Sequence, residues 1–228
     1  MIRAFLIFSY LWSALIPYSF AQSMAGPRGQ LFIIGGGDIS DTLRQEMLDA
    51  AHWVKGDLIA GVTLASNWDS SFFYINEAFG RLTGQACIHI DSAALHRRSA
   101  MDSLRRAKLI YLGGGDQALF MDRISGTGFL SFLRSFYAGG GTVAGTSAGA
   151  SVMSRMMLTG NSNRGDGSST SLKGLWSGSV EFREGLGLLD SVIIDQHFVV
   201  RSRYNRMLST IMDLPRYQYI AINESTAI

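Results

Sequence analysis

The stretch Gly141-Thr-Val-Ala-Gly-Thr-Ser-Ala-Gly-Ala150 decides the fold, because it joins a short apolar run to a tight glycine turn. Its first four residues are predicted to form a strand, and residues 150–157 are compatible with a helix. Between them, Gly145-Thr-Ser-Ala-Gly149 fits the pattern G-x-S-x-G, whose small residues let the backbone turn sharply and expose the serine hydroxyl. The sequence therefore predicts a strand-turn-helix elbow with Ser147 as nucleophile and the backbone N–H of Ala148 as an oxyanion donor at the helix N-terminus. The alternative is a glycine-rich turn around a packed serine.

Four apolar runs outside this stretch have the same character, and they cover residues 30–34, 58–64, 86–90 and 108–112. They are short and are separated by helix-like segments, which is typical of a mainly parallel sheet with helices on both faces. Glycine-rich turns follow two of them, at residues 35–37 and 113–115. Because the carboxyl ends of parallel strands meet at one edge of a sheet, we expect both turns to lie beside Ser147.

Composition and the N-terminal residues predict one exported domain. Residues 1–21 combine an early positive charge at Arg3 with an apolar run and small residues before the end, which is the pattern of a secretory signal peptide cleaved after Ala21. An uncleaved membrane anchor is the alternative. Residues 22–228 are then a single secreted domain, in the periplasm or the medium, with no membrane span after cleavage. Cys87 is the only cysteine, so it cannot form an internal disulfide and is predicted to pack as a small apolar side chain.

The formal net charge of +2 does not indicate a nucleic-acid-binding surface.

A nucleophilic serine needs a base, and the chain has four histidines. His52, His89 and His96 have ordinary structural explanations. His197 follows an apolar run and precedes a helix-like segment, which places it at the edge of the sheet that carries Ser147. Glu224 follows another apolar run and is the preferred group to orient His197; Asp195 is the other carboxylate after a strand, but it is so near His197 in sequence that a place in the pocket wall suits it better.

These residues resemble the cyanophycinases and the related peptidase E aspartyl dipeptidases, which are serine peptidases. The resemblance runs from about residue 30 to the end of the chain and is specific because several motifs occur in order. The motifs are Gly113-Gly-Gly-Asp-Gln117, Gly145-Thr-Ser-Ala-Gly-Ala150, Gly185-Leu-Gly-Leu-Leu189, Ile193-Ile-Asp-Gln-His-Phe198, Arg201-Ser-Arg-Tyr-Asn-Arg206 and Asn223-Glu-Ser-Thr-Ala227.

The resemblance implies a three-layer α/β fold of the class I glutamine amidotransferase-like or flavodoxin-like kind. It assigns Ser147 as nucleophile, His197 as base and Glu224 as the orienting group, with Gly115 beside Ala148 in the oxyanion hole. No metal or organic cofactor is implied. A rival alignment would recruit Asp166, from the polar loop after the elbow, in place of Glu224.

The resemblance also implies a substrate. Cyanophycin is a poly-aspartate chain with an arginine on each side-chain carboxyl, and the family cuts it to release β-Asp-Arg dipeptides by way of an acyl-enzyme. The free carboxylates of this substrate call for fixed guanidinium groups. Arg203 and Arg206 are three apart and share a helix face, and Arg201 is expected at or before the start of that helix. Gln117, Asp195 and Gln196 are expected to line the same cleft, with Asp195 free to meet a substrate guanidinium.

Other interpretations stay open at this stage. The arginines could form a solvated helix face. The chain could be a peptidase E-like aspartyl dipeptidase that acts on β-aspartyl or other Asp-containing peptides, or an exported polymer-binding protein without turnover. A homodimer is the assembly that we consider. Because the chain stops soon after Glu224, in what reads as a strand, we expect it to be incomplete at Ile228.

Overall fold

The computed structural model describes residues 26–68, 70–163 and 175–228. The predicted signal peptide and Asp166 lie outside the described residues, so both stay predictions. Within the described ranges, no helix combines the length and the apolar character that crossing a bilayer requires.

The described residues contain strands, α-helices and one 3₁₀ turn at Ala94–His96. The strands are β1 Gln30–Ile34, β2 Leu58–Val62, β3 Ile88–Ile90, β4 Ala107–Leu112, β5 Thr142–Thr146, β6 Met156–Ser162, β7 Val180–Glu184, β8 Val192–Asp195 and β9 Gln218–Ala221. The helices are α1 Asp41–Ala50, α2 Ser71–Thr83, α3 Arg98–Arg105, α4 Gln117–Ile124, α5 Phe129–Ala138, α6 Ala148–Ser151 and α7 Tyr204–Asp213.

The central sheet has five parallel strands in the order β1-β5-β4-β2-β3. β5 lies between β1 and β4, with Ile34 of β1 opposite Thr146 and Leu112 of β4 opposite Gly145. Because all five strands run in the same direction, the glycine-rich turns after β1, β4 and β5 lie at one edge of the sheet, as the sequence predicts. The predicted α/β fold with a parallel sheet is confirmed.

Each face of the sheet has its own hydrophobic core, because successive strand side chains point to opposite faces. On one face, Ile34 and Leu109 pack with α1 and α2. On the other face, their chain neighbours Ile33 and Ile110 pack with α3, α4, α5 and α6. Both faces of the sheet are therefore covered, which explains why its strands are continuous apolar runs.

The segment after the elbow differs from the prediction. The sequence predicts a helix over residues 150–157, but α6 has a single turn and β6 follows it. Instead, the backbone of residues 152–155 forms hydrogen bonds with the segment before β8. The Leu186 N–H donates to the Val152 carbonyl at 2.6 Å, and the Arg155 N–H donates to the Leu189 carbonyl at 2.8 Å. Long-range hydrogen bonds thus replace those of the predicted helix, and β6 pairs antiparallel with β7.

β8 and β9 form a parallel pair whose ends return to β1. The His197 N–H donates to the Gly35 carbonyl at 2.7 Å. The residues after β9 also contact β1, because Ile228 and Ile33 exchange two backbone hydrogen bonds of 2.9 and 3.0 Å. These contacts bring the residues after β8 and β9 to the edge of the central sheet that carries Ser147.

Cys87 lies just before β3 and is half-buried against the core that α1 and α2 share. Its backbone N–H donates to Asn76 Oδ1 at 2.8 Å. Burial raises the pKa of the Cys87 thiol to about 12. The thiol is therefore protonated at neutral pH and packs as a small apolar group.

Candidate active site

Ser147 lies between β5 and α6 in a backbone conformation that non-glycine residues rarely adopt, with φ 52° and ψ −115°. Its N–H donates to the Ile34 carbonyl at 3.1 Å, which ties the turn to β1. The flanking glycines leave no room for side chains, since a Cβ at Gly145 would overlap the carbonyl of Gly149 and a Cβ at Gly149 would overlap that of Leu112. The close packing of α6 on β5 and β4 therefore requires both glycines of the G-x-S-x-G pattern.

Ser147, His197 and Glu224 form a hydrogen-bonded series at the ends of β5, β8 and β9. Ser147 Oγ lies 2.9 Å from His197 Nε2, and His197 Nδ1 lies 2.5 Å from Glu224 Oε1. In this order a neutral imidazole accepts from the serine hydroxyl and donates to the carboxylate. The structure thus brings together the three residues that the sequence predicts as nucleophile, base and orienting group.

The glycine turn after β1 holds the histidine and the glutamate in place. Gly36 and Gly37 have φ values of 98° and 71°. A Cβ at Gly36 would overlap the imidazole ring of His197, and a Cβ at Gly37 would lie 2.8 Å from Glu224 Cβ. Sequence reasoning places this turn at the correct edge but gives it no role. Three consecutive glycines after a strand could have indicated this role. Only glycine lets other side chains approach the backbone this closely in such a conformation.

The environment of His197 favours the neutral imidazole. The residue is only 7% exposed, and burial is the largest cause of a lowered pKa. The hydrogen bond that His197 donates to Glu224 opposes this effect, while the charges of Arg201 and Arg203 lower the pKa further. His197 is therefore unprotonated at neutral pH and able to accept a proton.

Backbone groups flank the serine on two sides. Ala148 is the first residue of α6, so its N–H has no carbonyl acceptor from a preceding helical turn. From the turn after β4, Gly114 approaches so closely that a Cβ there would lie 3.3 Å from Ser147 Cβ. Gly115, with φ 136°, packs against the backbone of Ala65 and lines the same cleft. Ala148 and Gly115 thus lie in the two turns that border Ser147.

The site opens into a cleft of about 920 Å³, a volume typical of small-molecule sites. Its walls contain turn residues, predicted site residues and aromatic side chains. They include Gly37, Gly113, Gly114, Gly115, Gln117, Ser147, Gln196, Arg201, Arg203, Trp68, Tyr74 and Tyr111.

Asp195 does not face this cleft. Its side chain is fully buried and accepts from Arg203 Nη1 at 3.0 Å and from Arg206 Nε at 3.0 Å, with a second contact from Arg206 Nη2. The Tyr219 hydroxyl and the Gln196 N–H also donate to this carboxylate. The expectation that Asp195 is free to meet a substrate guanidinium is therefore wrong, because the neighbouring arginines bind it first.

The three predicted arginines occupy different environments. Arg206 is 2% exposed, pairs with Asp195 and does not line the cleft, which differs from its predicted place among the substrate-binding residues. Arg203 is 3% exposed but lines the cleft, where Nη1 donates to Gln196 Oε1 at 2.9 Å. Burial is the main cause that lowers the pKa of Arg203 to about 10, so it is still charged at neutral pH. Arg201 is exposed at the cleft.

The predicted glutamines both line the cleft. Gln117 is the first residue of α4, where the Asp116 side chain caps the helix by accepting from the N–H groups of Ala118 and Leu119. The Gln117 side-chain amide donates to the Leu158 carbonyl at 2.9 Å and so joins α4 to β6. Gln196 holds the Arg203 guanidinium through its side chain and its backbone carbonyl. Among the residues that the structure describes, no group of three His, Cys, Asp or Glu side chains is placed to hold a metal ion.

The comparison with protein families agrees with this geometry. A family model described as peptidase family S51 matches residues 31–228. A cyanophycinase from Trichormus variabilis is 38% identical over 125 residues, which are 54% of this chain and 39% of the relative. A cyanophycinase from Synechococcus elongatus is 29% identical over 216 residues, which are 89% of this chain and 62% of the relative. The chain thus spans between about two fifths and three fifths of the length of these relatives.

Solved structures show the same fold. The crystal structure of a peptidase from an acI-B1 actinobacterium superposes with a TM-score of 0.61 and covers 87% of this chain and 82% of its own. The two chains are 19% identical, so this likeness supports the three-layer fold alone.

Proposed function

The chain belongs to peptidase family S51, and we propose that it is a serine peptidase that hydrolyses cyanophycin to β-Asp-Arg dipeptides. One observation carries the proposal: the series from Ser147 Oγ through His197 to Glu224, with separations of 2.9 and 2.5 Å, beside a cleft that contains guanidinium groups. The similarity to proteins named cyanophycinase supports this choice of substrate.

The geometry supports nucleophilic catalysis in two steps. Ser147 Oγ attacks the carbonyl carbon of the scissile peptide while its proton moves to His197 Nε2. Glu224 accepts from Nδ1–H and stabilises the imidazolium that forms. The backbone N–H groups of Ala148 and Gly115 are the proposed donors to the oxyanion. His197 then gives its proton to the leaving amine, and a water molecule releases the acyl group by the reverse sequence of proton transfers.

Two arginines are the proposed contacts for the substrate carboxylates. Arg201 is exposed at the cleft, and Arg203 is fixed there by Asp195 and Gln196. Among the described residues, Arg203 Nε is buried and has no hydrogen-bond partner, so Asp195 and Gln196 leave part of the guanidinium without an acceptor. Arg206 and Asp195 act as positioning residues, because their mutual ion pair holds the Arg203 guanidinium in place.

The test is release of β-Asp-Arg from cyanophycin by the purified chain, measured by mass spectrometry, for the unaltered protein, Ser147→Ala and Ser131→Ala. Ser131 lies on α5, away from the cleft, and provides a matched control of the same chemistry. We expect release by the unaltered protein and by Ser131→Ala but none by Ser147→Ala. Equal release by Ser147→Ala would contradict the proposed nucleophile.

The same assay separates the alternatives. Cleavage of short Asp-containing peptides without cleavage of cyanophycin would identify an aspartyl dipeptidase. Polymer binding with neither turnover nor labelling by a fluorophosphonate probe would identify a binding protein. Two further expectations, export by a cleaved signal peptide and assembly as a homodimer, stay proposals that N-terminal sequencing and light scattering can test.

A further inference from the structure

We propose that a side pocket next to the cleft is a second substrate subsite, which binds the arginyl group of the substrate unit adjacent to the one that is cut. This inference rests on the proposed function, because it concerns how a polymer with an arginine on every unit lies across the molecule.

The side pocket has a volume of about 320 Å³ and continues from the main cleft. The two cavities share Thr63, Ser66, Asn67 and Trp68 in their linings. Trp68 is 79% exposed and stands at this junction. A large apolar side chain this exposed between two polar cavities is available for contact with a ligand.

Within the described part of the chain, the lining of the pocket contains one group of each charge. Asp91 supplies a carboxylate whose side chain is 43% exposed; its Oδ1 accepts from the Ala94 N–H at 2.7 Å. Arg123 supplies a guanidinium that donates to the carbonyls of Leu64 and Ser66 at 2.8 and 2.7 Å and to Asn67. Among the described residues, no carboxylate pairs with Arg123, so its charge is balanced only by neutral acceptors.

The other described residues of the lining are uncharged, and they combine aromatic rings with small polar side chains. The rings of Phe72 and His89 stack at 4.0 Å with an interplanar angle of 12°, and His89 Nε2 lies 2.9 Å from Thr63 Oγ1. Burial lowers the pKa of His89, in opposition to the nearby Asp91, so the ring is neutral at pH 7. Among the residues that the structure describes, Asp91 and Arg123 are thus the charged groups of the lining, and Arg97, which is not in the lining, lies 3.9 Å from Asp91 Oδ1.

This chemistry matches an arginyl group. Such a group, attached through its α-amine, carries a guanidinium at one end and a free carboxylate at the other. Asp91 can accept from the guanidinium, the Trp68 ring can stack on it, and Arg123 attracts the carboxylate. Since every unit of the polymer carries this group, the unit next to the cut presents one as well, and the side pocket adjoins the main cleft.

The experiment measures polymer binding without turnover. In the Ser147→Ala protein, we would compare Trp68→Ala and Asp91→Asn with two control variants, Phe73→Ala and Asp102→Asn. Phe73 is a neighbouring exposed aromatic residue and Asp102 an exposed carboxylate on α3, and neither lines the two cavities. Asn at position 91 keeps an oxygen that can accept from the Ala94 N–H, so the substitution removes the charge and keeps the hydrogen bond.

Trp68→Ala and Asp91→Asn should each raise the Kd for soluble cyanophycin about three- to thirty-fold, with little change for the controls. In proteins that keep Ser147, the same two changes should raise KM for the polymer. Asp91→Asn, whose side chain does not line the main cleft, should do so without changing turnover of an ester of a single β-Asp-Arg unit. Binding indistinguishable from that of the controls would overturn the subsite. If the unaltered chain released no product but binding still depended on Trp68 and Asp91, the peptidase proposal would fail and the subsite would stand.

Discussion

The two walls of the cleft position their functional groups in different ways. On the serine wall the backbone does the positioning, since Ser147 and His197 have φ values of 52° and 51° and glycines lie against them. On the arginine wall, formed by Arg201 and Arg203, side chains do the positioning, because a fully buried Asp195 outside the cleft lining binds both Arg203 and Arg206.

This difference predicts different responses to substitution. On the serine wall, the side chains of Ser147 and His197 are hydrogen-bonded within the series that ends at Glu224, and the backbone holds them in place. Substitutions of these side chains should therefore affect turnover more than folding. Removing one partner from a buried ion cluster lowers the free energy of unfolding, because it leaves a buried charge unpaired. Substitutions in this cluster should therefore affect stability more than turnover.

Glu224→Gln gives the largest expected effect, a loss of about 10⁴-fold in kcat with little change in stability. The neutral amide can no longer stabilise the imidazolium and favours the wrong tautomer of His197, as in the corresponding change of a Ser-His-Asp triad. Initial rates of β-Asp-Arg release measure the effect, and Glu184→Gln, at an exposed carboxylate on β7, is the control. Near-normal activity of Glu224→Gln would favour Asp166 as the orienting group.

Asp195→Asn should lower the free energy of unfolding by about 3–5 kcal/mol, since it leaves two buried guanidinium groups without their carboxylate. Urea denaturation measures the loss. Asp190→Asn is the matched control, because Asp190 pairs with Arg155 at the surface with 72% of its side chain exposed, and we expect a change below about 0.5 kcal/mol. Unchanged stability of Asp195→Asn with weakened substrate binding would instead make Asp195 a direct substrate contact.

Gly36→Ala should lower kcat about 10²-fold, because the added Cβ would displace the His197 ring. Gly56→Ala separates this contact from backbone strain: Gly56 has φ 103° against 98° for Gly36, and open space surrounds its Cβ position. Both variants should lose about 1–2 kcal/mol of stability, and only Gly36→Ala should lose activity. Equal activities would show that the turn after β1 does not position the histidine.

Arg201→Gln gives the smallest expected effect, a change in pH dependence. The neutral imidazole is the active form, so kcat/KM falls as the pH drops through the pKa of His197, which burial lowers from the ordinary value of 6.5. The Arg201 charge lowers this pKa further, so its removal should raise the pKa and move the acid limb to higher pH. Hydrolysis of a small neutral ester between pH 4 and 8 measures the shift, and Arg105→Gln, at a surface ion pair on α3, should show none.

The sequence alone predicts the parallel sheet and the three residues Ser147, His197 and Glu224 of the serine wall. Strand β1 and the glycine turns follow from local patterns, which place Ser147 at one edge of the five-stranded sheet. His197 and Glu224 were predicted at the same edge, but they follow the separate β8-β9 pair, and backbone hydrogen bonds such as that from the His197 N–H to the Gly35 carbonyl bring them beside Ser147. Where the prediction failed, long-range contacts decide the structure. The helix after Ser147 stops early because segments far along the chain supply its hydrogen bonds.

The arginine wall was harder to predict because a list of charged residues does not say which charges pair with one another. Asp195 and Arg206 are eleven residues apart, and only the return of α7 onto β8 makes them partners. The same limit applies to Gly36 and Gly37, whose role depends on two side chains that come from the other end of the chain.

Because the Cys87 thiol is half-buried and protonated, a second cysteine could be labelled selectively near the cleft. Cys87 is the only cysteine of the chain, and a thiol with a pKa of about 12 reacts slowly with maleimides at neutral pH. A cysteine introduced at the exposed position 73, next to Tyr74 of the cleft lining, could therefore carry a fluorophore while the native thiol stays unmodified. Polymer arrival at the two cavities could then be followed in real time on an otherwise native protein.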